Sequence, residues 1–181
     1  MVVLGIDPGS RRCGYGVVER SEGRLQHLAS GVVEPGRRPL AERLGLIFER
    51  LSELCVRERV DAVAVEAVFC GRSPRSALAL GQARGVALAA AAQAGLPVFE
   101  YAPAEVKRAF AGHGCAEKAQ MVRMMRTLFG REARFPDEAD ALAVAVCCLA
   151  RRFPGAPASP QRGRPAPVVL RPSVRRYGSA R

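Results

Sequence analysis

Four acids stand out for where they fall. Asp7 follows the apolar run Val2, Val3, Leu4, Gly5, Ile6, and Glu66 follows Ala62, Val63, Ala64, Val65. Asp137 and Asp140 lie three residues apart, just after Pro136. A carboxylate that closes a buried strand sits at a sheet edge, where open α/β sheets form crevices. Carboxylates at i and i+3 share a helix face, and the positive end of the helix dipole favours their ionised forms. Oxygen ligands without nearby His or Cys suit Mg2+ or Mn2+. Two such ions can hold a phosphodiester, activate a water and stabilise the leaving oxygen. Singly, each acid has a simpler explanation. Asp7-Pro8-Gly9 reads as a turn, Glu66 as a solvated strand end, and the pair as helix-start residues. Their joint placement on a basic chain is the argument for a site.

The elements that would position them follow from periodicity. Residues 2–7, 13–19 and 25–33 read as three strands of a meander, with a turn at Ser21-Glu22-Gly23. Leu40, Leu44, Ile47, Leu51 and Leu54 recur at helical spacing, which predicts an amphipathic helix over 39–59. Residues 61–66 read as a strand buried on both faces. Residues 75–94, rich in Ala and Leu, read as a helix stopped by Gly95. A fifth strand at 97–101, short helices near 103–110 and 116–128, and a last helix at 137–151 complete the order. Three antiparallel strands followed by alternating α and β units predict an α/β fold with a mixed five-stranded sheet flanked by helices. By analogy, this is the order of a ribonuclease-H-like fold. In it the first and fourth strands are parallel neighbours, so Asp7 and Glu66 would share an edge.

Composition narrows the partners. The 181 residues carry a formal charge of +11, with 28 basic and 17 acidic side chains. Residues 151–181 hold eight arginines and no acid, so the charge is concentrated at the C-terminal end. This predicts a ribonuclease-H-like folded domain over 1–152 and a basic, disordered tail rich in Pro, Gly and Arg over 153–181. A polyanion is the expected partner, nucleic acid before membrane. No apolar run approaches the roughly 18 residues that span a bilayer, and the N-terminus does not read as a signal peptide. Six cysteines show no C-x-x-C pair and there are two histidines. They read as reduced core fillers of a cytoplasmic protein, and zinc is not expected.

At these residues the chain resembles the RuvC family of crossover (Holliday) junction endodeoxyribonucleases. The matching stretches are GIDPGSRRCGYGV (5–17), VEAVFCGRSPRSALALGQARGVA (65–87), PVFEYAPAEVKRAFAGHGCAEKAQM (97–121) and DEADALAVA (137–145). The resemblance implies a homodimeric, Mg2+-dependent endonuclease that resolves four-way DNA junctions in recombination and repair. It cuts two strands symmetrically and prefers a short T-rich sequence. It further implies catalytic and metal-holding roles for Asp7, Glu66, Asp137 and Asp140. Two Mg2+ per site are expected, with Mn2+ as substitute. RuvA and RuvB, the branch-migration proteins, are implied partners.

DNA contacts are expected at Phe69, Arg72, Arg75, Lys107 and Lys118. Phe69 follows Glu66 in a loop, where an aromatic could stack on an unpaired base; the family tips that choice against a core aromatic. Arg72 and Arg75 share this loop and could bind phosphate. Lys107 and Lys118 are the chain's two lysines against 26 arginines, and Lys118 opens a helix, a ready phosphate site. Two other readings stay open. One is a junction-binding protein without catalysis. The other is an ATP-binding protein of the sugar-kinase and actin-like superfamily, since G-I-D-P-G-S also resembles its first phosphate loop; those proteins need a second lobe, for which the chain has no room.

Overall fold

A computed structural model describes residues 1–67, 74–112 and 114–154. Its elements are β1 (Val2–Asp7), β2 (Cys13–Ser21), β3 (Arg24–Val33), α1 (Leu40–Arg57), β4 (Ala62–Glu66), α2 (Pro74–Gln93), β5 (Val98–Tyr101), α3 (Pro103–Ala111), α4 (Lys118–Phe129) and α5 (Pro136–Arg152). The five strands form one sheet in the order β3-β2-β1-β4-β5. The first three pair antiparallel, while β4 runs parallel to both β1 and β5. The mixed sheet expected from the element order is the one observed.

Alternation along the strands divides the core in two. Val2, Leu4, Ile6, Val17, Val63 and Val65 pack under α1 and α2 with Ile47, Leu51, Leu54 and Ala87. Val3, Val18, Ala62 and Ala64 pack on the other face with α3, α4 and α5. Both central strands are therefore buried on two sides, which is why they read as continuous apolar runs. Within α1 the apolar stripe is covered from Ile47 onward, whereas Leu40 and Leu44 are only half buried.

α5 is apolar almost all round from Ala139 to Leu149, as befits a helix enclosed by sheet and neighbouring helices. The strand surface beneath it is built of small residues. A Cβ on Gly5 would lie 2.6 Å from the Ala145 nitrogen, and one on Gly16 would lie 2.9 Å from the Leu142 Cα. Only glycine allows the helix backbone that near.

Two expectations need adjustment. Cys13, Cys55, Cys147 and Cys148 are buried as predicted, but Cys115 is exposed in the turn before α4 and fills no core. The folded part also runs slightly past residue 152. The Phe153 ring packs edge-on against Phe99 at 5.9 Å, and its carbonyl accepts a hydrogen bond from Arg20 Nη1 at 3.2 Å. Most of the expected tail, 155–181, lies outside the described residues, as do Cys70 and His113. Among the described residues no helix is long and apolar enough to cross a membrane.

The glycine floor makes a stability prediction. Gly5→Ala should cost about 1–3 kcal/mol through overpacking, lowering the melting temperature by roughly 2–10 °C for a chain of this size. Gly45→Ala, within α1 and with open space around it, should instead stabilise by about 0.5–1 kcal/mol. Thermal melts of the two variants beside the wild type check both signs; equal melting temperatures would contradict the close approach of α5.

Candidate active site

β1 and β4 are parallel and in register, with Ile6 opposite Val65. The next residue of each strand is an acid, so Asp7 and Glu66 end neighbouring strands at one edge of the sheet. Side chains alternate between faces with a period of two. Val3 of β1, and Ala62 and Ala64 of β4, belong to the α5 side of the core. Asp7 and Glu66 fall in the same phase, on the face that α5 covers. Both are half buried.

α5 brings the other two acids to this edge. Gly14 pairs across the ladder with Asp7, and a Cβ on Gly14 would sit 2.6 Å from the Asp137 carbonyl carbon. The start of the helix thus rests directly on the Asp7–Gly14 pair. Asp140 follows one turn along, half buried, beside the Ala141 carbonyl that abuts Gly5. The Cys13 thiol gives an electrostatic reading of the same convergence. Its pKa is pushed up to about 12, mainly by burial, and the charges of Asp7 and Asp137 both add to the rise. Two acids 130 residues apart in the chain act on one sulfur. Among the described residues, no three His, Cys, Asp or Glu side chains are drawn together as a group that could hold a metal ion. The four carboxylates therefore share an edge and a face, not a formed coordination shell.

The entry into α5 is pinned by a side chain that sequence reasoning passed over. Glu138, between the two candidate acids, is the buried charged residue among those described. One of its oxygens accepts from Ser30 Oγ at 2.5 Å, and the other from the Arg134 backbone N–H at 2.9 Å. Because Ser30 gives its proton to Glu138, it accepts from His27 Nε2 at 2.7 Å. Burial depresses the His27 pKa first, with help from nearby Arg131, so the ring is held toward its neutral form. This chain ties β3 to the loop and first turn that carry Asp137. Phe135 sits at the N-cap of α5, its ring flanked by the guanidiniums of Arg12 at 5.0 Å and Arg134 at 5.6 Å. In sequence, D-E-A-D offers three acids with no sign that the middle one turns inward; only β3 packing against α5 decides that.

Of the expected DNA-contact residues, two have described side chains. Arg75 is exposed in the first turn of α2, and Lys107 is half buried on α3. α4 begins at Lys118 as expected, but the Lys118 side chain lies outside the described residues, and so do Phe69 and Arg72. Arginines at 11, 37, 38 and 43, absent from the expected contacts, gather around one cavity at the same edge. The doublets Arg11-Arg12 and Arg37-Arg38, each beside a glycine turn, were the available signal.

The chain is similar to known proteins in sequence and fold. The model of the family described as Crossover junction endodeoxyribonuclease RuvC matches residues 3–148. A relative from Anaeromyxobacter dehalogenans (strain 2CP-C), named Crossover junction endodeoxyribonuclease RuvC, is 64% identical over 159 residues, covering 88% of this chain and 86% of its own. One of the same name from Myxococcus xanthus is 47% identical over 192 residues and covers 97% of this chain and all of its own, so that alignment reaches beyond residue 152. The structure titled "T. thermophilus RuvC in complex with Holliday junction substrate" superposes with a TM-score of 0.76 at 42% identity, over 81% of this chain and 92% of that one. On the extent of these matches, this chain belongs to the RuvC family of crossover junction endodeoxyribonucleases.

Proposed function

We propose that this protein resolves four-way DNA junctions by paired, symmetric nicks, with Asp7, Glu66, Asp137 and Asp140 as its catalytic carboxylates. The observation that carries the reading is the placement of two strand-end acids and a helix-start pair on one face of one sheet edge, across glycines that admit the helix. Family membership supplies the substrate class.

The donor set suits Mg2+, with Mn2+ as substitute and two ions per site. It offers carboxylate oxygen alone, and the nearest soft ligand, the Cys13 thiol, stays protonated. Asp7, Glu66, Asp137 and Asp140 would hold the ions. Once bound, they supply positive charge against the scissile phosphate and ease the deprotonation of water. The chain itself presents Asp137 and Asp140 on the first turns of α5, where its Pro136 start meets the sheet edge. Phe69, Arg72, Arg75, Lys107 and Lys118 are the proposed DNA contacts. Products with 5′-phosphate and 3′-hydroxyl ends follow from the family's chemistry.

Paired cuts require two sites related by a two-fold axis, so the active form is a homodimer. α2 offers a surface for it: Leu78 is 66% exposed, and Gly81 and Gly85 have open space where a side chain would be. RuvA and RuvB are proposed partners on the same family grounds, and the cytoplasm, where the chromosome lies, is the proposed location. Residues 153–181 are proposed as a basic tail that adds sequence-independent affinity.

Asp7→Asn should lower nicking of a synthetic four-way junction by about 1,000-fold or more while leaving junction affinity within about threefold. Full nicking by the variant would refute the catalytic role, and a non-catalytic binder would be indifferent to the change. Chelation of divalent ions should abolish nicking by the wild type, and Mg2+ or Mn2+ should restore it; activity undiminished in chelator would reject the metal assignment. A chain ending at Arg152 should still resolve junctions. Its affinity for plain duplex should fall and become less salt-dependent, and an unchanged salt titration would reject the role of the tail.

A further inference from the structure

Four arginines surround a cavity of about 440 Å3 that Arg11, Gly36, Arg37, Arg38 and Arg43 line. No acid borders it. Glu34, the nearest acid before it in sequence, is engaged by Arg12 at 2.8 Å, and Glu42 faces solvent. Arginine keeps its charge at any physiological pH, so four such groups around one space repel one another unless an anion lies between them. Two of them are fixed by backbone carbonyls: Arg43 Nη1 donates to Ser10 at 3.2 Å, and Arg38 Nη1 donates to Pro35. The Arg43 Nε is buried and has no hydrogen-bond partner among the described residues. α1 begins at Leu40 beside the cavity, with no side chain capping its first amides. Held guanidiniums, an unspent buried donor and a bare helix start describe a site for phosphate oxygens.

Its place on the sheet says which phosphates. β3 ends at Val33, opposite Cys13, and β1 ends at Asp7, opposite Gly14. The 34–39 loop, the 8–12 turn and the start of α1 therefore stand at the edge that carries the acids. Adjacent strands are about 4.8 Å apart, so the end of β3 lies roughly 10 Å from that of β1. A strand of duplex presents one phosphate per roughly 3.4 Å of axis. A polyanion lying along the edge with one phosphate at the acids reaches the cavity a few phosphates later.

We propose that Arg11, Arg37, Arg38 and Arg43 form a second phosphate-binding site that grips the backbone of a DNA arm a few nucleotides from the point of cleavage. The assignment rests on the endonuclease reading for its ligand but not for its charge or geometry. Arg37 and Arg38 are exposed, so replacing them does not threaten the core.

The test compares the full-length wild type with Arg37→Ser/Arg38→Ser and with a charge-matched control, Arg24→Ser/Arg59→Asn. The control changes exposed arginines at the opposite edge, and asparagine tolerates the positive φ of 50° at residue 59. Junction affinity is titrated against salt with Ca2+ in place of Mg2+, and nicking is measured separately at saturating junction. The Arg37/Arg38 variant should lose about 1–2 from the slope of log K on log salt and at least tenfold in affinity near 100 mM salt. Its saturated nicking rate should match the wild type, and the control should keep the wild-type slope. An unchanged slope in the variant, or an equal loss in the control, overturns the site. Inorganic phosphate alone, followed by thermal shift, separates the sources. If it stabilises the wild type and not the variant while the DNA slopes coincide, the cavity takes small anions and the DNA assignment is wrong. Wild-type nicking is scored independently, so failure of the endonuclease reading is visible apart from failure of this one.

Discussion

The close approach of α5 to β1 and β2 is the contact on which the rest depends. Gly5, Gly14 and Gly16 lie on one face of two paired strands, and the helix backbone occupies the space their side chains would fill. Because the helix sits that low, its first turn rests on the same ladder pair that ends in Asp7. A helix held one methyl group higher would still bury its apolar surface, but it would carry Asp137 and Asp140 away from the strand-end acids. Packing here sets the geometry of the proposed site, and the loss of glycine would be felt in both.

Around that contact the protein is arranged by charge. The candidate acids share one face of the edge, and Arg11, Arg37, Arg38 and Arg43 gather around a cavity at the same edge. Other acids are engaged at the surface: Arg12 pairs with Glu34, Arg84 with Glu100 and Arg151 with Glu105. Glu138 is the exception that is buried, and it is satisfied by Ser30 and by backbone. Its role is to fix the angle at which α5 leaves the loop. Removing one partner of so buried a carboxylate leaves the other unpaired, which costs more than the bond itself contributes. The small His27–Ser30–Glu138 chain is thus as much a part of the site as the acids that face outward.

Much of this was legible in the sequence. Apolar runs with period two and helical stripes located every element to within one or two residues, because β1, β4 and α5 are nearly pure in their pattern. The acids were legible because Asp7 and Glu66 close strands and Asp137 and Asp140 open a helix. What escaped notice depends on contacts between distant segments. D-E-A-D does not reveal that Glu138 turns inward toward β3. Cys115 was grouped with the buried thiols although a turn leaves it exposed. The arginines at 11, 37, 38 and 43 come from two loops and a helix start, and only the register of β2 with β3 brings them together. Local pattern yields elements; register and packing yield sites.

The most direct measurement is a crystal structure with Mn2+ diffused in, the ion located by its anomalous scattering. If the close approach of α5 builds the site, Mn2+ will lie about 2.0–2.2 Å from carboxylate oxygens of Asp7 and of at least one α5 acid, Asp137 or Asp140. An ion held by Asp7 and Glu66 alone, with both α5 acids turned away, would contradict the account.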